Sequence, residues 1–162
     1  MIRTLIVEDE ILARLGLHQL VDWNALGFEL LEDAKTGKEA IDTIKLQHPQ
    51  VILLDLNIPE MDGIQIQKYI QEHHLRCYTI VVSCNDEFAT VKDVMRYGAY
   101  DFLRKLNLTP EALTSVLLRC KKEIEKPELQ DESIRYNPPG HSAYEALFTS
   151  KNKSEIFLRG YE

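Results

Sequence analysis

Short apolar runs in this sequence end on side chains that could bind a cation or a phosphate. Glu8 and Asp9 follow the first run, Asp55 follows a second, Ser83 ends a third, and Lys105 stands just after a fourth. Two or three carboxylates in a small space must either raise a pKa or hold a cation, and oxygen ligands suit Mg²⁺. A lysine and a hydroxyl beside them would neutralise and hydrogen-bond a phosphoryl group. These residue types therefore predict that Asp55 is a nucleophile that accepts phosphate, with Mg²⁺ offsetting the repulsion between the two anions.

The chain that must position these residues alternates strand and helix patterns across residues 1–125. The run Val51–Leu54 is apolar at every position, which is typical of a strand buried on both faces of a parallel sheet. The alternation predicts an α/β fold, a doubly wound (βα)₅ arrangement with a five-stranded parallel sheet. Ligands bind at the carboxyl ends of the strands in such sheets, so the candidate residues should meet at one edge.

Local patterns predict where several elements begin and end. Thr36 and Glu39 have the spacing of a capping box, and Pro110 is placed to open the last helix. Residues 28–34 can form the second strand. The first helix is predicted from apolar residues near helical spacing: Ile11, Leu12, Leu15 and Leu20.

Composition excludes several classes of protein. The chain has 162 residues, of which 44% are apolar and 28% charged, as in an ordinary globular domain. No run approaches the roughly 18 apolar residues of a membrane span, so we expect no membrane segment. We separately expect a cytoplasmic location, as for a protein that keeps its thiols reduced. A formal charge of −7 argues against nucleic-acid binding by this chain alone. Three cysteines without CxxC spacing favour reduced, buried thiols.

Residues 2 to 125 resemble the receiver domains of two-component response regulators. The resemblance rests on the Glu8-Asp9 pair, strand–helix alternation and three blocks in order: VILLDLNIPEMDG (51–63), VVSCND (81–86) and GAYDFLRK (98–105). It implies a flavodoxin-like receiver fold, a sensor histidine kinase as phosphodonor, Mg²⁺ as cofactor, and a homodimer on activation.

The resemblance also implies roles for individual residues. Asp55 would be the phosphoacceptor. Asp9 would ligate Mg²⁺ directly with assistance from Glu8, Asp55 would share in holding the ion, and the backbone carbonyl of Asn57 would supply a further ligand.

A second group of residues would convert phosphorylation into a conformational change. Ser83 would sense the phosphoryl oxygen, Lys105 would pair with it, and Phe102 would turn inward when Ser83 moves.

Two positions depart from the usual pattern. Leu106 stands where a proline often follows the lysine, and Phe102 lacks the hydroxyl of a tyrosine, so switching would rest on packing alone.

The stretches at 18–40, 85–88 (NDEF) and 105–113 (KLNLTPEAL) are similar to regulators whose output half is an AraC-type helix-turn-helix region that binds DNA. We expect a receiver domain at 1–125 and a linker, or the start of a truncated output region, at 126–162. DNA binding would then occur only through an output domain absent from this chain.

The expected dimer face combines the helix at 86–97, the fifth strand and the last helix. Candidates for charge pairs on this face are Asp93, Arg96 and Asp101.

Two other functions remain open from the sequence. A phosphorylation-independent pseudo-receiver would use the same fold as an interaction module, although the intact acidic residues and Lys105 count against it. An aspartyl-phosphate phosphatase would need an acid where Asn57 stands. We therefore expect no enzyme, only a phosphoacceptor with weak self-dephosphorylation. Simpler roles are open for two residues, because Ser83 could be only a hydrogen-bonding strand end and Phe102 only a core residue.

Overall fold

Five parallel strands form one sheet in the order β2-β1-β3-β4-β5 in the computed structural model, which describes residues 1–127. The strands are β1 (Ile2–Val7), β2 (Phe28–Leu30), β3 (Val51–Leu54), β4 (Tyr78–Ser83) and β5 (Asp101–Arg104). The helices are α1 (Ile11–Leu20), α2 (Trp23–Leu26), α3 (Gly37–Gln47), α4 (Gly63–Glu72), α5 (Phe88–Arg96) and α6 (Pro110–Glu125), and a 3₁₀ turn spans Lys105–Asn107. The predicted five-stranded parallel α/β sheet is confirmed, whereas the tail after residue 127 lies outside the described residues.

The central strand β3 is buried on both faces, as its unbroken apolar run predicts. Leu53 packs into a cluster with residues of α1, α2 and α6, whereas Ile52 and Leu54 pack on the opposite face against α3 and α4. Successive strand side chains point to opposite faces, so a strand covered on both sides must be apolar at every position. This burial holds the end of β3, and therefore Asp55, in a fixed position.

The strand order places β1 beside β3, and these two strands end at the same level. Val7 pairs with Leu54 in the register, and the Asp55 N–H donates to the Val7 carbonyl at 3.0 Å. After β1 the chain forms β2 on one side of β1, and it later forms β3 on the other side of β1. The crevice at this change of direction is where open α/β sheets bind their ligands.

The second strand is shorter than predicted. β2 ends at Leu30, and Ala34 joins the sheet only through an isolated bridge to Val7. The Leu31 N–H still donates to the Thr4 carbonyl at 2.9 Å, but the chain then leaves the sheet, and Asp33 lies beside α1. The prediction of one strand over residues 28–34 was therefore too long.

The first helix forms as predicted, and Leu20 is half-buried against the core, but the other three predicted apolar residues do not belong to the buried face. Ile11, Leu12 and Leu15 are exposed, and the buried residues of α1 are Arg14 and Leu17. Apolar spacing located the helix correctly, yet it misidentified which side faces the protein.

The capping box also differs from the prediction. At α3, Thr36 accepts from the Glu39 N–H, but the Glu39 carboxylate accepts from the Lys35 N–H instead of that of Thr36. The reciprocal pair is found at α4, where the Asp62 side chain accepts from the Gln65 N–H and the Gln65 side chain accepts from the Asp62 N–H. This box fixes the start of the helix that follows the loop after β3.

Gly37 allows the loop after β3 to pack against the start of α3. A Cβ added at Gly37 would lie 2.1 Å from the Met61 carbonyl oxygen, whereas one added at Gly16 meets nothing within 4 Å. We expect Gly37→Ala to lower the free energy of unfolding by about 2 kcal/mol, because the loop backbone must move. Gly16→Ala should instead leave the free energy of unfolding unchanged or raise it by up to about 1 kcal/mol, because alanine favours the helix. Urea denaturation of both variants measures the difference, and equal effects would contradict this account of the loop.

Candidate functional site

Five of the predicted site residues line one cavity at the carboxyl edge of the sheet. The cavity has a volume of about 410 Å³ and its lining includes Glu8, Asp9, Asp55, Asn57 and Lys105. Each residue reaches the cavity because its strand ends there: β1 delivers the acidic pair, β3 delivers Asp55 and its neighbour, and β5 delivers the lysine. The sheet therefore brings together side chains that are far apart in sequence.

The carboxylates of the cavity converge closely. Glu8, Asp9 and Asp55 each place a carboxylate oxygen within 4.8 Å of the others. The Lys105 Nζ lies 2.5 Å from Glu8 Oε2 and 2.9 Å from Asp55 Oδ2. One ammonium thus offsets part of the charge of three carboxylates, and the exposed Asp9 makes no ion pair among residues 1–127. Without a further cation, this group keeps an excess of negative charge.

Burial and pairing shift the pKa values in this cluster. Burial raises the pKa of the Glu8 carboxyl, which the hydrogen bond from Lys105 only partly offsets. For Lys105, burial opposes the charged ammonium, but hydrogen bonds to Glu8 and Asp55 outweigh burial and raise its pKa. The lysine is therefore charged throughout the neutral range, and it can meet an incoming anion without first gaining a proton.

The loop after β3 holds Asp55 by backbone contacts. The Asn57 N–H donates to Asp55 Oδ1 at 3.2 Å, and the Gly63 N–H donates to the Leu56 carbonyl at 3.0 Å. A Cβ on Gly63 would lie 2.6 Å from the Asp55 carbonyl oxygen. Only glycine therefore allows α4 to begin so close to the end of β3.

The donor set of this cavity fits Mg²⁺. Mg²⁺ prefers oxygen ligands and is commonly held by one or two carboxylates with several waters. Asp9 and Asp55, with Glu8 beside them, supply such oxygens, and no thiol or imidazole belongs to the acidic cluster within the described residues. Because the cavity is open and roomy, water can complete the coordination.

The two predicted switch residues lie beside the cavity instead of lining it. Ser83 ends β4 with its side chain buried, and its Oγ accepts from the Asn85 N–H at 3.2 Å. Phe102 is half-buried and packs against a cluster of β4 and α5 residues that includes Val81 and Val94. Their positions leave both the switch roles and the simpler structural roles open.

Two residues near the site were not predicted from the sequence as parts of it. Cys84 is exposed and lines the cavity, so the expectation of three buried thiols was wrong for this cysteine. Arg14 is buried behind the acidic pair and donates to the backbone carbonyls of Glu8 and Asp9. An arginine inside a helical pattern gives no local signal of such a contact, because its partners depend on how the helix packs.

One candidate for the dimer face is already paired within the chain. Asp101 is buried, and its Oδ2 lies 2.7 Å from Arg119 Nη2 of α6. Its Oδ1 accepts from the Phe102 N–H at 2.7 Å. Asp93 and Arg96 remain candidates on α5, whereas Asp101 already joins β5 to α6.

The excess negative charge predicts that Mg²⁺ stabilises the fold. At a Mg²⁺ concentration ten times its dissociation constant, we expect a gain of about 1.4 kcal/mol, or about 4 °C in Tm. Asp9→Asn should raise Tm without Mg²⁺, because one repelling charge is gone, and should lose most of the Mg²⁺-induced gain. Differential scanning calorimetry with and without MgCl₂ measures both effects. Asp42→Asn, at an exposed position of α3, is the control and should respond to Mg²⁺ as the parent does.

Comparisons with known proteins agree with this fold. The family model of the response regulator receiver domain matches residues 4–117, so the chain belongs to the response regulator receiver domain family. Among individual proteins, it is 29% identical over 147 residues to the transcriptional regulatory protein HptR of Staphylococcus aureus, a match covering 91% of this chain and 56% of HptR.

Solved receiver structures superpose on most of the chain. The REC domain of AraT, a response regulator from Geobacillus stearothermophilus, matches with a TM-score of 0.70 and 32% identity, covering 76% of this chain and 95% of that one. CheY in a CheX-CheY-BeF₃-Mg²⁺ complex from Borrelia burgdorferi matches with a TM-score of 0.66 and 27% identity, covering 73% and 87%. The prediction of a receiver domain is therefore confirmed.

The matches leave part of the relatives uncovered. The chain spans about half the length of the curated relatives it matches, which include transcriptional regulators.

Within residues 1–127, none of the helices combines the length and the apolar character needed to cross a membrane.

Proposed function

We propose that Asp55 accepts a phosphoryl group from a sensor histidine kinase, and that the acyl phosphate controls the activity of a longer, cytoplasmic transcription regulator. The observation that carries this proposal is the convergence of three carboxylates and one ammonium at the end of β3. Within that cluster, Asp55 is the carboxylate that Lys105 and the Asn57 N–H both contact.

The transfer forms one bond and breaks another. An Asp55 carboxylate oxygen attacks phosphorus, an O–P bond forms, and the P–N bond to the kinase histidine breaks, leaving a mixed anhydride on Asp55. Asp9, Asp55 and the backbone carbonyl of Asn57 would hold Mg²⁺, with Glu8 assisting. The ion would supply neutralisation of the charge on the phosphoryl oxygens. Its presence beside CheY in the related complex supports this assignment.

Lys105 has a different partner before and after transfer. Before transfer its ammonium pairs with Glu8 and Asp55, so it lies beside the oxygen that would attack phosphorus. After transfer the anhydride oxygen of Asp55 carries less charge, whereas the phosphoryl oxygens carry more. The ammonium is then drawn towards the phosphoryl group, where a charge-assisted hydrogen bond is stronger.

The conformational response would run through β4, α5 and β5. Ser83 is buried at the end of β4, one residue before the cavity-lining Cys84, and Phe102 packs beneath α5. The Ser83 hydroxyl accepts from the Asn85 N–H and can still donate to a phosphoryl oxygen, so a shift of Ser83 towards that group would pull on the loop before α5. Phosphorylation would thereby shift a two-state equilibrium and change the α5–β5–α6 face, through which we propose dimerisation.

A phosphoacceptor fits the site better than a phosphatase does. Rapid hydrolysis of the anhydride would need a general acid or base beside Asp55. Position 57, which follows at the spacing of a second catalytic aspartate, carries an exposed asparagine. We therefore propose that the chain holds its phosphate and turns it over only slowly.

The test is phosphorylation of the full chain by acetyl phosphate, followed by intact mass spectrometry. We expect the mass increment of one phosphoryl group in the presence of Mg²⁺ and at least about 10-fold less in EDTA. A chain that gains no phosphate with Mg²⁺, or gains it equally in EDTA, would contradict the proposed function. Binding of a partner without phosphorylation would then favour the pseudo-receiver.

A further inference from the structure

Arg14 of α1 is buried directly behind the acidic pair, and the function proposed above leaves it without a role. Its Nη1 donates to the carbonyl oxygens of Glu8 at 3.0 Å and Asp9 at 2.9 Å. A guanidinium stays charged in proteins, so burying it costs free energy unless its N–H groups are satisfied. The chain satisfies this buried cation with the backbone of the two residues whose carboxylates face Asp55.

The contact fixes a backbone shape that a regular strand does not have. Along a strand, successive side chains point to opposite faces. β1 ends at Val7, and the carbonyls of the next two residues both point to one nitrogen of Arg14. The backbone therefore turns at Glu8 and Asp9, and this turn allows both carboxylates to reach within 4.8 Å of that of Asp55.

Asp33 makes a long ion-pair contact with the guanidinium and is itself contacted by His18. Asp33 Oδ2 lies 3.9 Å from Arg14 Nε and 2.7 Å from His18 Nε2. The residue after Asp33, Ala34, donates to the Ile6 carbonyl and accepts from the Glu8 N–H. The same loop therefore supports the turn through its backbone and, through Asp33, the arginine behind it.

We propose that Arg14 is a positioning residue for the cation site, oriented by Asp33 and His18. It keeps Glu8 and Asp9 turned towards Asp55 before the cation arrives, so that binding does not have to order them. This role rests on the proposed function, because it requires that the acidic edge binds Mg²⁺. Groups that orient metal ligands typically change metal affinity by about 10-fold to 100-fold when removed.

The test compares Mg²⁺ affinity in arginine variants of the full chain by isothermal titration calorimetry. We expect Arg14→Met to weaken Mg²⁺ binding about 10-fold. Arg14→Lys should weaken it about 3-fold, because the lysine ammonium lacks the planar guanidinium whose N–H groups have fixed directions. Acetyl phosphate labelling at saturating Mg²⁺ should return to within about 3-fold of the parent for both variants. Arg14→Lys retains the positive charge and most of the aliphatic side chain. It therefore still tests the proposal if Arg14→Met fails to fold.

Arg3 provides the matched control. It also donates to two backbone carbonyls, those of Gln47 and His48, but near the opposite end of β1. Arg3→Met should lower stability without changing the Mg²⁺ dissociation constant. Two results would show that the positioning role is wrong while the proposed function stands, provided that the parent binds Mg²⁺. In the first, the Mg²⁺ dissociation constants of the Arg14 variants lie within about twofold of the parent value. In the second, Arg3→Met weakens Mg²⁺ binding as much as the Arg14 variants do. If the parent binds no Mg²⁺, both fail.

Discussion

Asp55→Asn is expected to abolish phosphoryl uptake from acetyl phosphate. The amide has nearly the shape of the carboxylate, so the burial of residue 55 and the packing of β3 should persist. It lacks the anionic oxygen that attacks phosphorus, and no other carboxylate in the cluster has both the lysine and the Asn57 N–H as partners. We expect uptake at least about 100-fold below the parent. Intact mass spectrometry after a fixed incubation with Mg²⁺ measures it.

Asp62→Asn is the control for this substitution. Asp62 lies in the same loop, but it is exposed and accepts from the Gln65 N–H at the start of α4. Asparagine is about as good as aspartate at this helix position. Asp62→Asn should therefore gain phosphate as the parent does. Equal uptake by the Asp55 variant and the parent would show that another residue carries the phosphate.

Lys105→Met is expected to cause the largest loss of stability among single substitutions in the site. The change leaves Glu8 and Asp55, both almost fully buried, without the ammonium that lies 2.5 Å and 2.9 Å from their oxygens. Removing one partner from a buried ion pair typically costs about 3 kcal/mol or more, because the remaining charge is unpaired. Urea denaturation at neutral pH without Mg²⁺ measures the loss, which saturating Mg²⁺ should partly restore.

The loss in Lys105→Met should depend on pH. Burial already raises the pKa of Glu8 above 4.5, and removing Lys105 takes away the contacts that lower it. The folded variant then holds a proton that the unfolded chain releases, so its stability falls as pH rises from 4.5 through the folded pKa. The difference from the parent should be small near about pH 4 and large near about pH 7.

Lys121→Met makes the same chemical change at a lysine that has no carboxylate partner among residues 1–127. The Lys121 Nζ donates to the Leu26 carbonyl at 3.1 Å. Its loss should cost about 1.5 kcal/mol and should not vary with pH across the same interval. An equal pH dependence in both lysine variants would contradict the assignment to Glu8.

The sequence predicted the acidic edge because its residues follow a topological rule. Glu8, Asp9, Asp55 and Lys105 each stand just after an apolar run, and parallel strands bring their carboxyl ends to one edge. The resemblance to receivers then implied their roles, which stay predictions. The meeting of these residues at one edge does not depend on the details of side-chain packing, which explains why they line one cavity in the structure.

The parts that sequence reasoning missed depend on packing between elements. Helical spacing cannot show which side of α1 faces the protein, because Ile11, Leu12 and Leu15 are apolar and yet exposed, whereas Arg14 is buried. The buried arginine is stabilised there because the two carbonyls that follow β1 accept its hydrogen bonds. Such a contact is set by the tertiary fold and leaves no local pattern.

The shortened second strand has a similar explanation. Residues 31–33 could continue a strand by composition, but Asp33 contacts His18 and Arg14 on α1 instead of pairing with β1. The tertiary contacts of one aspartate thus outweigh strand propensity across this short segment.

Locating the phosphoryl group within the chain tests the central claim most directly. After labelling with acetyl phosphate and Mg²⁺, borohydride reduction converts an aspartyl phosphate to homoserine, which peptide sequencing by mass spectrometry identifies. The account predicts homoserine at position 55 and at no other aspartate. Homoserine at Asp9, or phosphate that survives reduction on a serine or threonine, would contradict it.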